Sequence, residues 1–112
     1  MQRIDLTAVE VQDLLQGTND VPQIIDVRTA DEFELYYIKN AKNIDFLSPG
    51  FKQQLEALDR DRPYIVHCQS GERSEKALEV FAELGFRKVY HLLGGLRAWN
   101  DEKLPTVFNW TI

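Results

Sequence analysis

No second cysteine accompanies Cys68 anywhere in the 112 residues of the chain. An internal disulfide, a multi-cysteine metal site and a Cys-x-x-Cys redox pair are thereby excluded, and any covalent chemistry at this thiol involves another molecule. Basic residues are also in short supply: 13 Lys and Arg stand against 18 Asp and Glu, a formal charge of -5 at pH 7. No basic cluster forms: Arg60 and Arg62 alternate with Asp59 and Asp61, and Arg87 with Lys88 is an isolated pair. Lacking a basic footprint, the chain is expected to avoid nucleic acid and anionic membrane surfaces. Long apolar runs are missing too. No stretch approaches the roughly 20 apolar residues of a membrane span, and Met1 to Leu6 lacks the apolar core of a signal peptide, so a cytoplasmic location is expected.

What remains is 44% hydrophobic and 28% charged, ordinary for a globular protein. The length suits one domain over residues 1–112. Short β-branched runs alternate with helical patterns, the signature of an α/β fold: an open, mostly parallel five-stranded sheet flanked by helices on both faces is expected. A capping-box spacing at Thr7 to Glu10 announces a helix that carries Val9, Val11, Leu14 and Leu15 toward a core before Gly17 stops it. A strand over Gln23 to Val27 follows. A second capping box, Thr29 to Glu32, opens a short helix through Phe33 to Tyr36, and Asn43-Ile44 reads as a brief strand. Ser48-Pro49 supplies an N-cap and an N1 proline ahead of Phe51, Leu55 and Leu58 on one helical face.

Pro63 to His67 forms the strand that delivers Cys68, and helical periodicity runs from Ser74 to Leu84, with Gly85 as its C′ residue. Lys88 to Leu92 is the last strand of the sheet. Gly94-Gly95 then turns the chain into a short helix containing Leu96 and Trp99. The tail over residues 104–112, with Val107, Phe108, Trp110 and Ile112, is apolar for a terminus. Either it packs across the domain's own helices or it serves a protein partner or self-association.

Cys68 thus sits where a strand ends and a helix begins, the place at which open parallel sheets bind ligands. Gly71 lets the chain curl, and the following helix points free N–H groups back at the sulfur. A thiol of ordinary pKa ~8.5 falls to roughly 3.5–7.5 when it faces a helix N-terminus or a cation. A thiolate nucleophile is the leading reading of Cys68, against the alternative of a small buried hydrophobe.

Four segments, in order, resemble those of single-domain rhodaneses, the thiosulfate sulfurtransferase type. Ile25-Asp26-Val27-Arg28 with Glu32-Phe33 resembles the family's "DVR…EF" segment, Ile38 to Ile44 its "HIxGAxNI", and Val89 to Trp99 its "VYxLxGGxxAW". Cys68-Gln69-Ser70-Gly71-Glu72-Arg73-Ser74 is similar to the active-site loop "CxxGxRS". Tyr37 stands where the family usually has His, Asn40 where it has Gly, and His67 where an aromatic is more usual. The resemblance implies that Cys68 is the nucleophile and that the backbone of Gln69, Ser70, Gly71, Glu72 and Arg73 cradles its sulfur. It implies ping-pong transfer of a sulfane sulfur from a small anionic donor such as thiosulfate to cyanide, a thiol or a protein thiol, with no cofactor and no metal.

Bland readings sit beside these. Arg73 is expected to order the loop by pairing with Glu72, Glu75 or an acid from elsewhere, as well as to favour a bound anion. Ser70 and Ser74 suit capping. Asp26 and Arg28 read as a supporting ion pair at a strand end, with Glu32 a candidate third member. Alternation of side chains along a strand puts His67 and Cys68 on opposite faces, which argues against a Cys-His dyad. Phe81 and Trp99 are expected in the core. Two other functions stand as alternatives: a persulfide carrier or interaction module with little turnover of its own, and a cysteine phosphatase or arsenate reductase. Phosphatases of related fold place one residue more between cysteine and arginine than Gln69, Ser70, Gly71 and Glu72. The tighter cradle here suits a single sulfur better than a tetrahedral phosphate, and Glu72 repels a dianion.

Overall fold

The structure, a computed structural model, describes residues 1–17 and 19–109. Five strands, β1 (Gln2–Leu6), β2 (Gln23–Asp26), β4 (Lys42–Asn43), β5 (Tyr64–His67) and β6 (Lys88–Leu92), form one sheet in the order β1-β6-β5-β2-β4. Every pairing in it is parallel. β5 lies at the centre and is buried throughout, which accounts for its uninterrupted run of large side chains.

Alternation along the strands splits the apolar residues between two faces. Ile25, Val27, Tyr64, Val66 and Val89 meet α3 (Phe51–Glu56) and α4 (Glu72–Glu83) through Phe51, Leu55, Ala77, Leu78 and Phe81. Ile24, Ile65 and Leu92 meet α1 (Ala8–Leu15) and α5 (Gly95–Asp101) through Ala8, Val11, Leu96 and Trp99. Phe81 and Trp99 are core residues, as expected.

Both capping boxes form. In α1 the Thr7 hydroxyl accepts from the Glu10 N–H while the Glu10 carboxylate accepts from the Thr7 N–H; in α2 (Ala30–Leu35) Thr29 and Glu32 do the same. Several boundaries move. Val9 is 47% exposed, because α1 turns Ala8 and Val11 to the sheet and the residue after Ala8 outward. Ser48 and Pro49 belong to a separate turn, in which the Ser48 hydroxyl accepts from the Gly50 N–H, and Gly50 is the residue that precedes α3. α4 begins two positions before the expected Ser74, at Glu72.

A second, two-stranded sheet pairs β3 (Tyr36–Tyr37) with β7 (Val107–Phe108) antiparallel. Tyr36, expected to end a helix, begins a strand instead. The described part of the apolar tail therefore docks on its own chain, with Phe108 stacked on Tyr36 at 5.8 Å between centroids. Trp110 and Ile112 lie outside the described residues. No helix among the described residues is long and apolar enough to cross a membrane.

Candidate active site

α4 leads from β5 to β6 on one side of the sheet, whereas the chain after β2 leads to β4 on the other. Parallel sheets open a crevice at the carboxyl ends of two neighbouring strands whose connections diverge in this way. Cys68 follows β5 at that crevice, and Arg28 follows β2, which ends in Asp26.

The sulfur is held by donors. Sγ accepts from the Gly71 N–H at 3.1 Å and the Ser74 N–H at 3.4 Å, and lies 3.3 Å from the Ser74 hydroxyl. Gly71, with φ of 113°, has a left-handed backbone that favours glycine, and this turn aims the start of α4 at Sγ. Burial pushes the thiol up. The Ser74 hydroxyl and the N–H groups of Ser74, Gly71 and Ser70 outweigh it, so the net direction is below the ordinary value.

α5 fixes the loop from behind. The Leu96 N–H donates to the Cys68 carbonyl at 3.0 Å and the Arg97 N–H to the Gln69 carbonyl at 2.9 Å. Gly95 makes the approach possible: a Cβ there would stand 2.4 Å from the Cys68 carbonyl oxygen. The Gly94-Gly95 pair thus packs beside the active loop.

Ser74, expected as a cap, does something else. No side chain among the described residues caps α4, and the Ser74 Oγ lies 2.7 Å from His91 Nε2 besides touching Sγ and the Gly71 carbonyl. His91 escaped the sequence reading. Its one signal is a histidine between Tyr90 and Leu92 in the last strand of the sheet, and its partner lies 17 residues away on another element.

Arg73 pairs with none of its helix neighbours. Its Nη1 and Nη2 donate to the two Glu32 oxygens at 2.5 and 3.0 Å, which ties α4 to α2 across the crevice. The arginine holds the Glu32 carboxyl down at about 2. Its charge also interacts favourably with Cys68. Ser70 and Glu72 are exposed at the mouth, and Gln69 accepts from the Tyr36 hydroxyl at 3.2 Å.

Asp26 and Arg28 form a buried pair, Nη2 to Oδ2 at 2.9 Å and Nε within 3.1 Å of both oxygens. Glu32 is not its third member, because Arg73 takes it. Arg28 instead donates to the Tyr36 carbonyl at 2.6 Å and lies over the Tyr36 ring. Tyr36, whose hydroxyl donates to Gln69, connects the pair to the loop after Cys68. His67 shares the face of Asp26, with Nε2 3.6 Å from Oδ2, and its Nδ1 meets the Cys68 carbonyl at 2.9 Å; it makes no contact with Sγ. A hollow lined by Ile24, Ile38, Trp99 and Val107 lies elsewhere and shares no residue with the surroundings of the sulfur.

The model of one protein family, the rhodanese-like domain, matches residues 7–102. The chain belongs to the rhodanese-like family. Among curated relatives of this rhodanese-like chain is the thiosulfate sulfurtransferase GlpE of Coxiella burnetii, 33% identical over 76 residues, which are 68% of this chain and 69% of the relative. The uncharacterized protein YqhL of Bacillus subtilis is 35% identical over 80 residues, 71% of this chain and 62% of YqhL. In three dimensions a rhodanese-like domain protein from Staphylococcus aureus superposes with a TM-score of 0.77 at 32% identity, covering 94% of this chain and 97% of its own. A rhodanese-related protein from Thermoplasma volcanium gives 0.79 at 28% identity, covering 93% and 97%. One departure from the usual rhodanese pattern has a simple physical account. Asn40, standing in place of glycine, has φ of 70°, and Asn is among the residues that tolerate the left-handed region best.

Proposed function

We propose that the chain is a sulfurtransferase that carries a sulfane sulfur on Cys68. The observation that carries this reading is the set of donors converging on one sulfur: two backbone N–H groups and a hydroxyl within 3.4 Å of Sγ. They stabilise an anionic sulfur before transfer, as thiolate, and after it, as persulfide. With thiosulfate as donor, the Cys68 thiolate attacks the outer sulfur, a Cys68 S–S bond forms, and the bond to the sulfonate sulfur breaks with its electron pair leaving on sulfite. An acceptor nucleophile, cyanide or a thiolate, then attacks the terminal sulfur and releases the Cys68 thiolate. The short loop supports single-sulfur transfer over phosphate chemistry, since Glu72 is exposed at its mouth and Arg73 is already paired with Glu32.

Mass spectrometry after exposure to thiosulfate or an organic persulfide tests the proposal. One added sulfur atom on the Cys68 peptide, lost on addition of cyanide, is expected, and Cys68→Ser should abolish both adduct and thiocyanate release. No adduct with any sulfane donor, together with hydrolysis of an aryl phosphate, would turn the assignment to a phosphatase. A second reading, a persulfide carrier that exchanges sulfur with protein thiols, is favoured by the pairing of Arg73 with Glu32, which leaves the arginine's charge already engaged. It predicts rapid adduct formation from a protein persulfide and slow turnover with thiosulfate.

A further inference from the structure

The buried sulfur has a second polar connection, separate from the mouth. Oγ of Ser74 lies 3.3 Å from Sγ and 2.7 Å from Nε2 of His91, which is itself 2% exposed. The other ring nitrogen, Nδ1, lies 3.5 Å from Glu75 Oε2 and 4.0 Å from Asp5 Oδ1, on carboxylates whose side chains are 53% and 44% exposed. A continuous line of exchangeable groups therefore runs from Sγ through Ser74 and His91 to the surface beside β1. Arg73 and Glu32 stand on the opposite side of the loop, against α2.

We infer that Ser74 and His91 form a proton relay for Cys68, with His91 taking the thiol proton through the Ser74 hydroxyl and exchanging it with solvent beside Glu75. The inference rests on Cys68 being the nucleophile. Two arrangements of the same atoms interconvert. In one the S–H donates to Oγ and the Oγ–H donates to Nε2; in the other Nε2–H donates to Oγ and the Oγ–H donates to the thiolate. Passing from the first to the second moves one proton from sulfur to Oγ and one from Oγ to Nε2, so that serine is unchanged and a thiol and an imidazole become a thiolate and an imidazolium. The remaining neighbour of Oγ, the Gly71 carbonyl at 3.1 Å, only accepts and so competes for the single Oγ–H; the relay runs when that proton points to Nε2 or to sulfur instead.

The groups facing His91 set its balance. Burial lowers its affinity for a proton first; Arg3 and His67 lower it further, whereas Glu75 and Asp5 raise it. Arg3 donates to both Glu75 oxygens at 2.7 and 2.8 Å and to Asp5 at 2.8 Å, and its Nη2 lies 3.4 Å from Nδ1. An imidazole held neutral at rest is ready to accept a proton, and one that faces carboxylates can pass it on. The relay lets the sulfur lose and regain its proton without using the mouth, where a donor or acceptor sits during each half-reaction.

Two measurements test it on the full chain, and neither requires sulfur transfer. The first is the rate of Cys68 alkylation by iodoacetamide across pH for the wild type, His91→Asn and Ser74→Ala. The carboxamide introduced by His91→Asn would keep an N–H for Ser74 but take no proton. Loss of the relay should move the alkylation midpoint upward in both variants, slowing the reaction about tenfold at neutral pH, one pKa unit of lost support for the thiolate. The second is the titration of the His91 ring by NMR in the wild type and in Cys68→Ser. His91 should bind its proton more tightly in the wild type, because the coupling between the two sites is reciprocal. An unshifted alkylation profile in His91→Asn, or identical His91 titrations with and without the thiol, would overturn the relay. Should His91→Asn fail to fold, the NMR pair decides it, since Ser74→Ala removes a direct neighbour of the sulfur with or without a relay. If the relay stands while no sulfane donor reacts, the sulfurtransferase assignment fails alone.

Discussion

Arg73 and Glu32 hold the crevice closed at one side with charge, and acid should open it. The arginine keeps the Glu32 carboxyl at about 2, against an ordinary 4.5. Between those values the unfolded chain binds the proton and the folded chain does not, so stability rises with pH across that window. The contribution is fully present above about 4.5 and is lost as pH falls through about 2. Partial exposure screens the pair, so its size is about 1 kcal/mol. Chemical denaturation across pH should find Glu32→Gln less stable than the wild type at neutrality and should find the two curves meeting near the bottom of the window. A constant gap down to acid pH would mean that the charge of Glu32 is not the source of the difference, since glutamine keeps the capping box with Thr29. At this scale the sequence announced Cys68, because a strand, a glycine and a helix start surround it within a few residues. It also placed His67 correctly, since alternation along a strand is local. His91, the pairing of Glu32 with Arg73 and the contact of Ser74 with His91 were hidden, because each depends on which elements lie side by side.

Elements carry the loop from both ends: α4 offers its first N–H groups to the sulfur, and α5 offers its own to the carbonyls of Cys68 and Gln69. Gly95 is where α5 meets that loop. A methyl group there would meet backbone on three counts, the Cys68 oxygen at 2.4 Å and the carbon and oxygen of Gln69 at 2.8 Å, at a φ of 57°. No side-chain rotation relieves a clash with backbone, so the loop itself must move. Gly95→Ala is expected to cost roughly 1–3 kcal/mol in overpacking, with left-handed strain in addition. Denaturant unfolding should show that loss, and Cys68 alkylation at neutral pH should slow, because displaced carbonyls carry the sulfur away from the start of α4. Unchanged alkylation in a destabilised variant would separate the role of Gly95 in stability from any role at the sulfur. Helices with a local signature were legible: both capping boxes formed at the threonines that announced them. The β3 and β7 ribbon was not, because two-residue strands are too short to show a period and their partners lie far apart along the chain.

At the scale of the whole molecule, the alternation of strand and helix signals predicted a parallel sheet with both faces covered. The order β1-β6-β5-β2-β4 was not legible, since periodicity says nothing of neighbours. That order sets Glu32 of α2 against Arg73 of α4 beside the loop that follows Cys68, and so bears on what kind of donor approaches the sulfur. Arg73 and Glu32 neutralise one another and Glu72, next to Gly71, is exposed, all within a molecule of formal charge -5. A dianion such as thiosulfate therefore meets repulsion at long range and at the mouth. Salt shortens the reach of that repulsion, from a Debye length of about 30 Å at 0.01 M to about 8 Å at 0.15 M. The value of kcat/KM for thiosulfate should accordingly rise with ionic strength, whereas that for an uncharged organic trisulfide should stay flat. Glu72→Gln should raise the thiosulfate value at low salt and flatten its salt dependence, because it removes a negative charge exposed at the mouth itself. Steady-state rates across a salt series for the two donors and the two proteins check this. A thiosulfate rate that falls as salt is added would mean that Arg73 leaves Glu32 to meet the donor, and that the mouth is positive when it matters.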